Sequence, residues 1–250
     1  MPPSIKSPGR PTKSYDQYCP VARSLDVLGE RWTLLIVRDL MTGPKRYTDL
    51  REGLPGIATD LLTARLRTLE AAGLVARREL PRPAPATVYE LTDAGRDLRP
   101  VMLALARVGY PMLGAPRPTD DVSAERVVLL GLRQGFQPNA FPHLTESYQL
   151  RIDEQLFSIA VADGTAKVEP GVASAPAMTF TTDARTLVAL GRGETTLELA
   201  LAAGRAQLEG DQTAFARFAA AFAAPGGASE QQPNAGVAPA QDPAVLAAEA

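Results

Sequence analysis

Glycine and proline at Gly29, Gly43-Pro44, Pro55-Gly56 and Gly73 cut the stretch from 19 to 73 into lengths that suit only a run of short helices. Val21, Leu25 and Leu28 recur on one helical face before the first break. The segment RWTLLIVRDLM fills the second length, and RYTDLREGL, with Tyr47, Leu50 and Leu54 at helical spacing, fills the third. In the fourth, residues 58–72, Leu62, Leu66 and Leu69 form an inward stripe. A rotation of about 100° per residue puts Asp60, Thr63, Ala64 and Arg67 on the opposite face. After Gly73 the period changes from helical to alternating. LVARRELPRPAPATVYELT reads as two short strands around a Pro-rich turn, with Arg77, Arg78 and Arg82 near the hairpin tip. Several helices followed by a basic hairpin is the order of a winged helix-turn-helix.

The slim polar face of residues 58–72 suits a helix lying deep in a major groove, with Thr and Arg side chains free to reach base edges or phosphates. Thr92 is a good N-cap for a further helix over residues 93–110. Its stripe of Leu98, Met102, Leu105 and Val108 is broad enough for a partner helix, and Pro100 is expected to kink it early. A two-fold protein on DNA would dimerise there.

Charge divides in the same place. The whole chain of 250 residues carries a net charge of −2, but residues 1–110 hold 17 basic and 12 acidic side chains while residues 111–250 hold 9 and 16. A positive first module fits a phosphate backbone, and a negative second one would be repelled by it. With 45% hydrophobic and 22% charged residues, the chain is neither a disordered polymer nor a collagen. No apolar run is long enough to cross a bilayer, and the opening MPPSIKSPGRPTKSYDQ lacks the apolar core of a signal peptide, so a cytoplasmic protein without a membrane partner is expected. Residues 1–14, with four prolines and three basic side chains, read as a flexible arm.

Residues 19–110 resemble the HxlR-type family of bacterial winged-helix transcription regulators. The matches are Cys19-Pro20, Gly29 with Arg31-Trp32, Gly43 with Arg46-Tyr47 and Leu50, and Ile57 with Leu62-Thr63 and Arg65-Leu66. They continue through Leu69-Glu70, Gly73-Leu74-Val75, Arg77, Tyr89, Leu91-Thr92 and Gly95. The resemblance implies a dimer that places residues 58–72 in the major groove of double-stranded DNA and its wing against the backbone or minor groove. Arg46, Thr59, Asp60, Thr63, Ala64, Arg67, Arg77, Arg78 and Arg82 are the DNA-binding candidates. The family usually has Ser where this chain has Ala58, a missing N-cap worth about 1 kcal/mol. Asp60 is also a departure, since a carboxylate repels phosphate although it can accept from a cytosine amine. Several family members sense oxidants through a cysteine matching Cys19. Here the helix dipole and Arg23 would favour the thiolate, and the alternative is a small packing residue with no redox role.

After a Pro-rich joint at 114–121, a helix near 124–132 precedes alternating stretches at 147–153, 155–170 and 177–183, with Asp163-Gly164 as a hairpin turn. Helices are expected at 184–190, 197–203 and 212–223, with AQLEG before the last. The whole is an α+β chain: a winged helix over 15–113, then an α+β domain over 122–224 whose helices cover one antiparallel-rich sheet. The strand order and the ending GRAQLEGDQTAFARFAAAF resemble sterol-carrier-protein-like (type 2) domains. That resemblance implies an apolar tunnel for a lipid-like effector, with Phe157, Ile159, Val161, Phe180, Leu187, Leu190 and Phe215 as lining candidates. The same residues would equally fill a solid core. Residues 225–250, rich in Ala, Pro and Gln, read as a disordered tail.

Catalysis finds no constellation in the sequence. There is no nucleophile-elbow serine and no phosphate loop, and one cysteine with one histidine, His143, cannot make a zinc cluster. No catalytic residue, metal or cofactor is therefore assigned. The expected function is sequence-specific regulation of transcription, with repression or activation left open, by a homodimer whose C-terminal domain receives a small apolar effector. The alternative is a lipid-carrier or protein-interaction module in which the winged helix does not bind DNA.

Overall fold

A computed structural model describes residues 14–81 and 85–222. The sequence-derived arm up to residue 13, Arg82 and the tail at 225–250 lie outside the described residues.

The short helices form as the punctuation requires: α1 Pro20–Leu28, α2 Thr33–Leu40, α3 Tyr47–Glu52 and α4 Thr59–Ala71. A two-residue strand, β1 Lys45–Arg46, precedes α3. The wing consists of β2 Val75–Leu80 and β3 Ala86–Leu91, paired antiparallel, with β3 lying between β2 and β1. Ile36, Val37, Leu50, Leu54, Leu62, Leu66 and Leu69 are buried to 1% exposure or less and make one core beneath the wing. Gly73, at φ +73, ends α4 in the left-handed region that glycine tolerates best.

The single helix expected at 93–110 is two. Thr92 caps α5 Asp93–Arg96 by accepting from the Gly95 N–H at 3.1 Å, while its own hydroxyl donates to the Gly73 carbonyl at 2.6 Å. The chain then restarts as α6 Arg99–Gly109, with Pro100 in its first turn. Proline causes no kink there, because the first-turn N–H groups have no helical acceptor to lose. The expected apolar stripe also splits. Leu98 and Met102 pack onto the N-terminal core, whereas Leu105 and Val108 stand 46% and 63% exposed.

Past a short 3-10 turn, Tyr110–Met112, the joint at 114–121 is fastened rather than free: the Arg185 guanidinium donates to the carbonyls of Arg117, Pro118 and Asp120. A π-helical segment, Arg126–Leu132, runs into the one-turn α7 Arg133–Gly135. The second sheet comprises β4 Glu146–Ile152, β5 Gln155–Ala162, β6 Thr165–Pro170, β7 Met178–Thr182 and β8 Ala206–Gly210, in the order β6-β5-β4-β7-β8. Every pairing is antiparallel except β4 with β7. Register places Tyr148, Leu150, Ile152, Phe157, Ile159, Met178 and Phe180 on one face, all buried. The π-helical segment, α8 Ala184–Gly191, α9 Leu197–Ala202 and α10 Gln212–Ala221 contribute to the same core. On the outer edges, β6 exposes Lys167 and Glu169 before stopping at Pro170, and β8 exposes Gln207 and Glu209.

Candidate nucleic-acid interface

The turn between α3 and α4 positions the exposed face of α4. Asp49, three residues into the α3 region, accepts the Arg46 backbone N–H at 2.9 Å and fixes the entry to α3. Tyr47 then reaches across: its hydroxyl donates to the Thr59 carbonyl at 2.8 Å and lies 3.2 Å from Thr63 Oγ1. Thr63 in turn donates to the same carbonyl at 2.9 Å. The start of α4 is thus tied to α3 through a phenol, although Ala58 provides no side-chain cap. On the far side of α4, Arg65 bridges to Glu30 at 2.6 Å and holds the helix to the loop between α1 and α2. Leu62, Leu66 and Leu69 face the core, and Thr59, Asp60, Ala64 and Arg67 are exposed. Thr63 is half-buried because Tyr47 lies against it. Asp60 sits in the first turn of α4, where the helix dipole favours a carboxylate.

Among the described residues, Arg67 and Arg51 carry neither an ion pair nor a side-chain hydrogen bond, and Arg46 carries no ion pair. These three exposed cations lie just before α3, in its last turn and midway along α4. The wing differs from its sequence reading. Arg77 and Arg78 do not lie near the tip: they sit in the body of β2, opposite Tyr89 and Val88, because the strands run on to Leu80 and Ala86. Arg78 is also engaged, its Nε and Nη2 gripping the Glu90 carboxylate at 2.9 to 3.0 Å. The hydrogen bond to Arg78 holds the Glu90 carboxyl below its usual range and raises the guanidinium in return. Arg77 meets Glu79 only at 3.9 Å.

Sequence reasoning missed the phenol clasp, for Tyr47 counted only as an apolar position, and it missed Asp49. The Arg46-x-x-Asp49 spacing was the available signal for the latter, since an acidic residue at the third helical position commonly reaches back to the N-cap N–H. Cys19 occupies the N-cap position of α1 and is half-buried. Its expected electrostatic helper is otherwise employed, since Arg23 pairs with Asp26 at 3.5 Å and donates to Ser14 at 3.4 Å.

The seven apolar candidates of the C-terminal half all join one core. Phe157, Ile159, Val161, Phe180 and Leu187 are buried within it; Leu190 and Phe215 are partly buried at its rim, with the Phe180 and Phe215 rings 4.9 Å apart. One polar network enters beside it. Tyr148 donates to Glu146 at 2.7 Å, and Arg217 spans Glu146 and Asp211, each at 2.8 Å. Burial and the Glu146 contact push the Tyr148 phenol well above its ordinary range, so it stays protonated. Among the described residues there is no group of three or more potential metal ligands, and no helix is long and apolar enough to cross a membrane.

A family model described as HxlR-like helix-turn-helix matches residues 27–115. The chain is 38% identical over 95 residues to the HTH-type transcriptional regulator sll1512 of Synechocystis, which covers 38% of this chain and 70% of that protein. It is 37% identical over 91 residues to the HTH-type regulator YybR of Bacillus subtilis, covering 36% and 73%. With the HTH-type regulator Rv3095 of Mycobacterium tuberculosis the identity is 41% over 98 residues, covering 39% and 60%. Among solved structures, the reduced form of the transcriptional regulator YodB from B. subtilis aligns at 32% identity, covering 40% of this chain and all of that one, with a TM-score of 0.35. The matches to sll1512 and YybR, of which this chain spans more than two thirds, together with the family model, decide the assignment: the chain belongs to the HxlR-like helix-turn-helix family and is a transcriptional regulator with a helix-turn-helix DNA-binding domain.

Proposed function

We propose that the protein regulates transcription as a homodimer that reads a specific operator through α4, and that its C-terminal domain receives a small apolar effector. The observation that carries the reading is that Arg46 just before α3, Arg51 on α3 and Arg67 on α4 stand exposed without ion pairs, while α4 presents an exposed face of small side chains. In this reading Thr59, Asp60, Thr63, Ala64 and Arg67 face base edges, while Arg46, Arg77, Arg78 and Arg82 meet phosphates. Dimerisation is supported by α6, which has no fully buried residue in the single chain although Met102 leans on the N-terminal core. Val101, Leu105, Val108 and Met112 stand 47%, 46%, 63% and 78% exposed, and α1 adds Val21 at 65%. Apolar side chains exposed along a helix in this way are what a partner helix removes from water. The effector role rests on the resemblance of residues 120–224 to sterol-carrier-protein-like domains, whose apolar tunnel would accept such a molecule. In this reading the protein is cytoplasmic.

Selection of genomic fragments by the full chain at near-physiological salt, against excess nonspecific DNA, tests the reading. A selected fragment bound with two chains is expected. Arg67→Ala should change which bases are preferred, whereas Arg77→Ala should weaken all sequences alike and reduce the salt slope by about one per contact removed. Failure of the full chain to select any fragment would refute the reading.

A further inference from the structure

Two adjacent residues at the start of the C-terminal domain grip the helix-turn-helix from behind. Glu125 pairs with Lys45 of β1 and accepts from the Thr42 hydroxyl at 3.3 Å. Arg126, the first residue of the π-helical segment, donates to the Gly53 carbonyl at 3.0 Å, lies 3.6 Å from the Asp39 carboxylate and pairs with Asp121. These partners belong to the end of α2, the chain entering α3 and the turn leaving it. Arg126 therefore touches the turn that sets where α4 begins.

The grip is built into the N-terminal core rather than laid on its surface. Asp39 is only 6% exposed and also accepts from Arg38 Nε at 2.8 Å, so its charge is shared by two guanidinium groups. A methyl group at Gly53 would lie 2.9 Å from Asp39 Oδ2, which shows how closely the turn is drawn onto that carboxylate. The side chain of Arg126 is 16% exposed. Removing one partner from a buried ion pair is costly, so the contacts on Asp39 hold the turn in place. On the other side, Val128 and Leu129 of the same π-helical segment are 0% and 1% exposed in the C-terminal core. π-Helical turns are rare and are found frequently at functional sites, and this one carries Arg126, Val128 and Leu129 on a single continuous segment. A change in how the C-terminal core holds Val128 and Leu129 would move Arg126 with it.

We infer that Glu125 and Arg126 are positioning residues for DNA reading, through which the C-terminal domain fixes the turn before α4. The inference rests on the proposed role of α4, and deepens it by naming the route along which the C-terminal domain acts on DNA. Neither residue needs to touch DNA. Loss of either should weaken operator binding without altering the number of counterions released.

Hydrogen exchange and DNA binding of the full chain together test this. Gly53 and Ile57 N–H groups are hydrogen-bonded to the carbonyls of Asp49 and Leu54 and report directly on the turn. In Arg126→Gln, exchange at these two amides should accelerate about tenfold or more while the amides of β2 and β3 keep their protection. Operator affinity should fall about 5- to 150-fold at an unchanged salt slope, the range typical of coupled sites. Glu125→Lys should act in the same direction, and the exchanged pair Lys45→Glu with Glu125→Lys should recover most of the loss. These latter changes lie at the rim of the grip, so they keep the inference testable where Arg126→Gln fails to fold. Unchanged exchange at Gly53 and Ile57, or looser exchange with unchanged operator affinity, overturns the inference. So does a loss that the exchanged pair leaves unrepaired. Where the wild-type chain selects no DNA at all, the functional reading fails, and the exchange measurement still decides whether the grip holds the turn.

Discussion

Replacing Gly95 by alanine would place a methyl carbon 2.0 Å from the Leu74 carbonyl oxygen, 3.1 Å from its carbonyl carbon and 3.1 Å from Leu91 Cδ2. The first distance is more than 1 Å inside any tolerable carbon–oxygen contact, and the obstacle is backbone rather than a side chain that can swing aside. Leu74 cannot yield easily, since its carbonyl accepts the Thr92 N–H at 3.1 Å and the next residue begins β2. Relief requires α5 to lift from the wing, which breaks the Thr92 bonds to Gly73 and Gly95. Overpacking against a rigid wall costs about 3 kcal/mol at the upper end of its usual range. For a domain of this size each kcal/mol lowers the midpoint by about 4–8 °C, so a fall of roughly 12–24 °C is expected. The assay is available in the chain itself: Trp32 is its only tryptophan and belongs to the N-terminal core, so thermal unfolding followed by its emission reports this domain. Gly109→Ala is the control, because nothing lies within 4 Å of the new methyl and the residue closes α6. It should be neutral or stabilising by up to about 1 kcal/mol. A Gly95→Ala midpoint within about 2 °C of wild type would refute the packing argument, since that corresponds to less than about 0.5 kcal/mol.

Val108→Asp, on the exposed row of α6, should shift the chain from dimer to monomer in light scattering while leaving the Trp32 unfolding midpoint close to wild type; a persistent dimer would place the interface elsewhere. Arg78→Ala should lower the salt slope of DNA binding by about 0.9 per subunit, and an unchanged slope would show that Arg78 does not reach DNA. Hydrogen bonds from Thr213 and Arg217 hold the Asp211 carboxyl down at about 2. A depressed carboxylate adds stability that is complete above its unfolded value near 4 and is lost as pH falls toward about 2. Acid unfolding of the C-terminal domain should therefore be shallower over that window in Asp211→Asn, and superimposable acid limbs would contradict the assignment.

What could be read from the sequence was whatever depends on neighbours a few residues apart. Leu62, Leu66 and Leu69 specify α4 and its buried side because helical spacing alone brings them together, and Asp163-Gly164 specifies the β5–β6 turn for the same local reason. The α6 stripe shows the limit. Leu98, Met102, Leu105 and Val108 have one spacing, yet the first two pack on their own domain and the last two do not, because a helix leaves a small core partway along its length. Arg78 and Glu90 meet diagonally across the wing, a contact that depends on strand register and hence on a turn whose length sequence leaves open. Tyr47 has a hydrophobic body and a polar tip, and only the tip matters to α4. The grip of Arg126 on Asp39 joins residues in different domains, and no local pattern encodes it.

The edges of the second sheet bear on how copies of this chain can meet. An outer strand with free backbone groups invites another strand to add to it, which leads to open-ended association. Here one edge displays Lys167 and Glu169 and ends at a proline that has no N–H to offer, and the other displays Gln207 and Glu209. An incoming strand would have to strip water from these side chains and forgo a hydrogen bond at Pro170. The apolar rows on α1 and α6 meet no such obstacle. In the proposed dimer, association would thereby be directed to helices, whose two-fold pairing closes after two copies, and away from strands, whose pairing need not close at all.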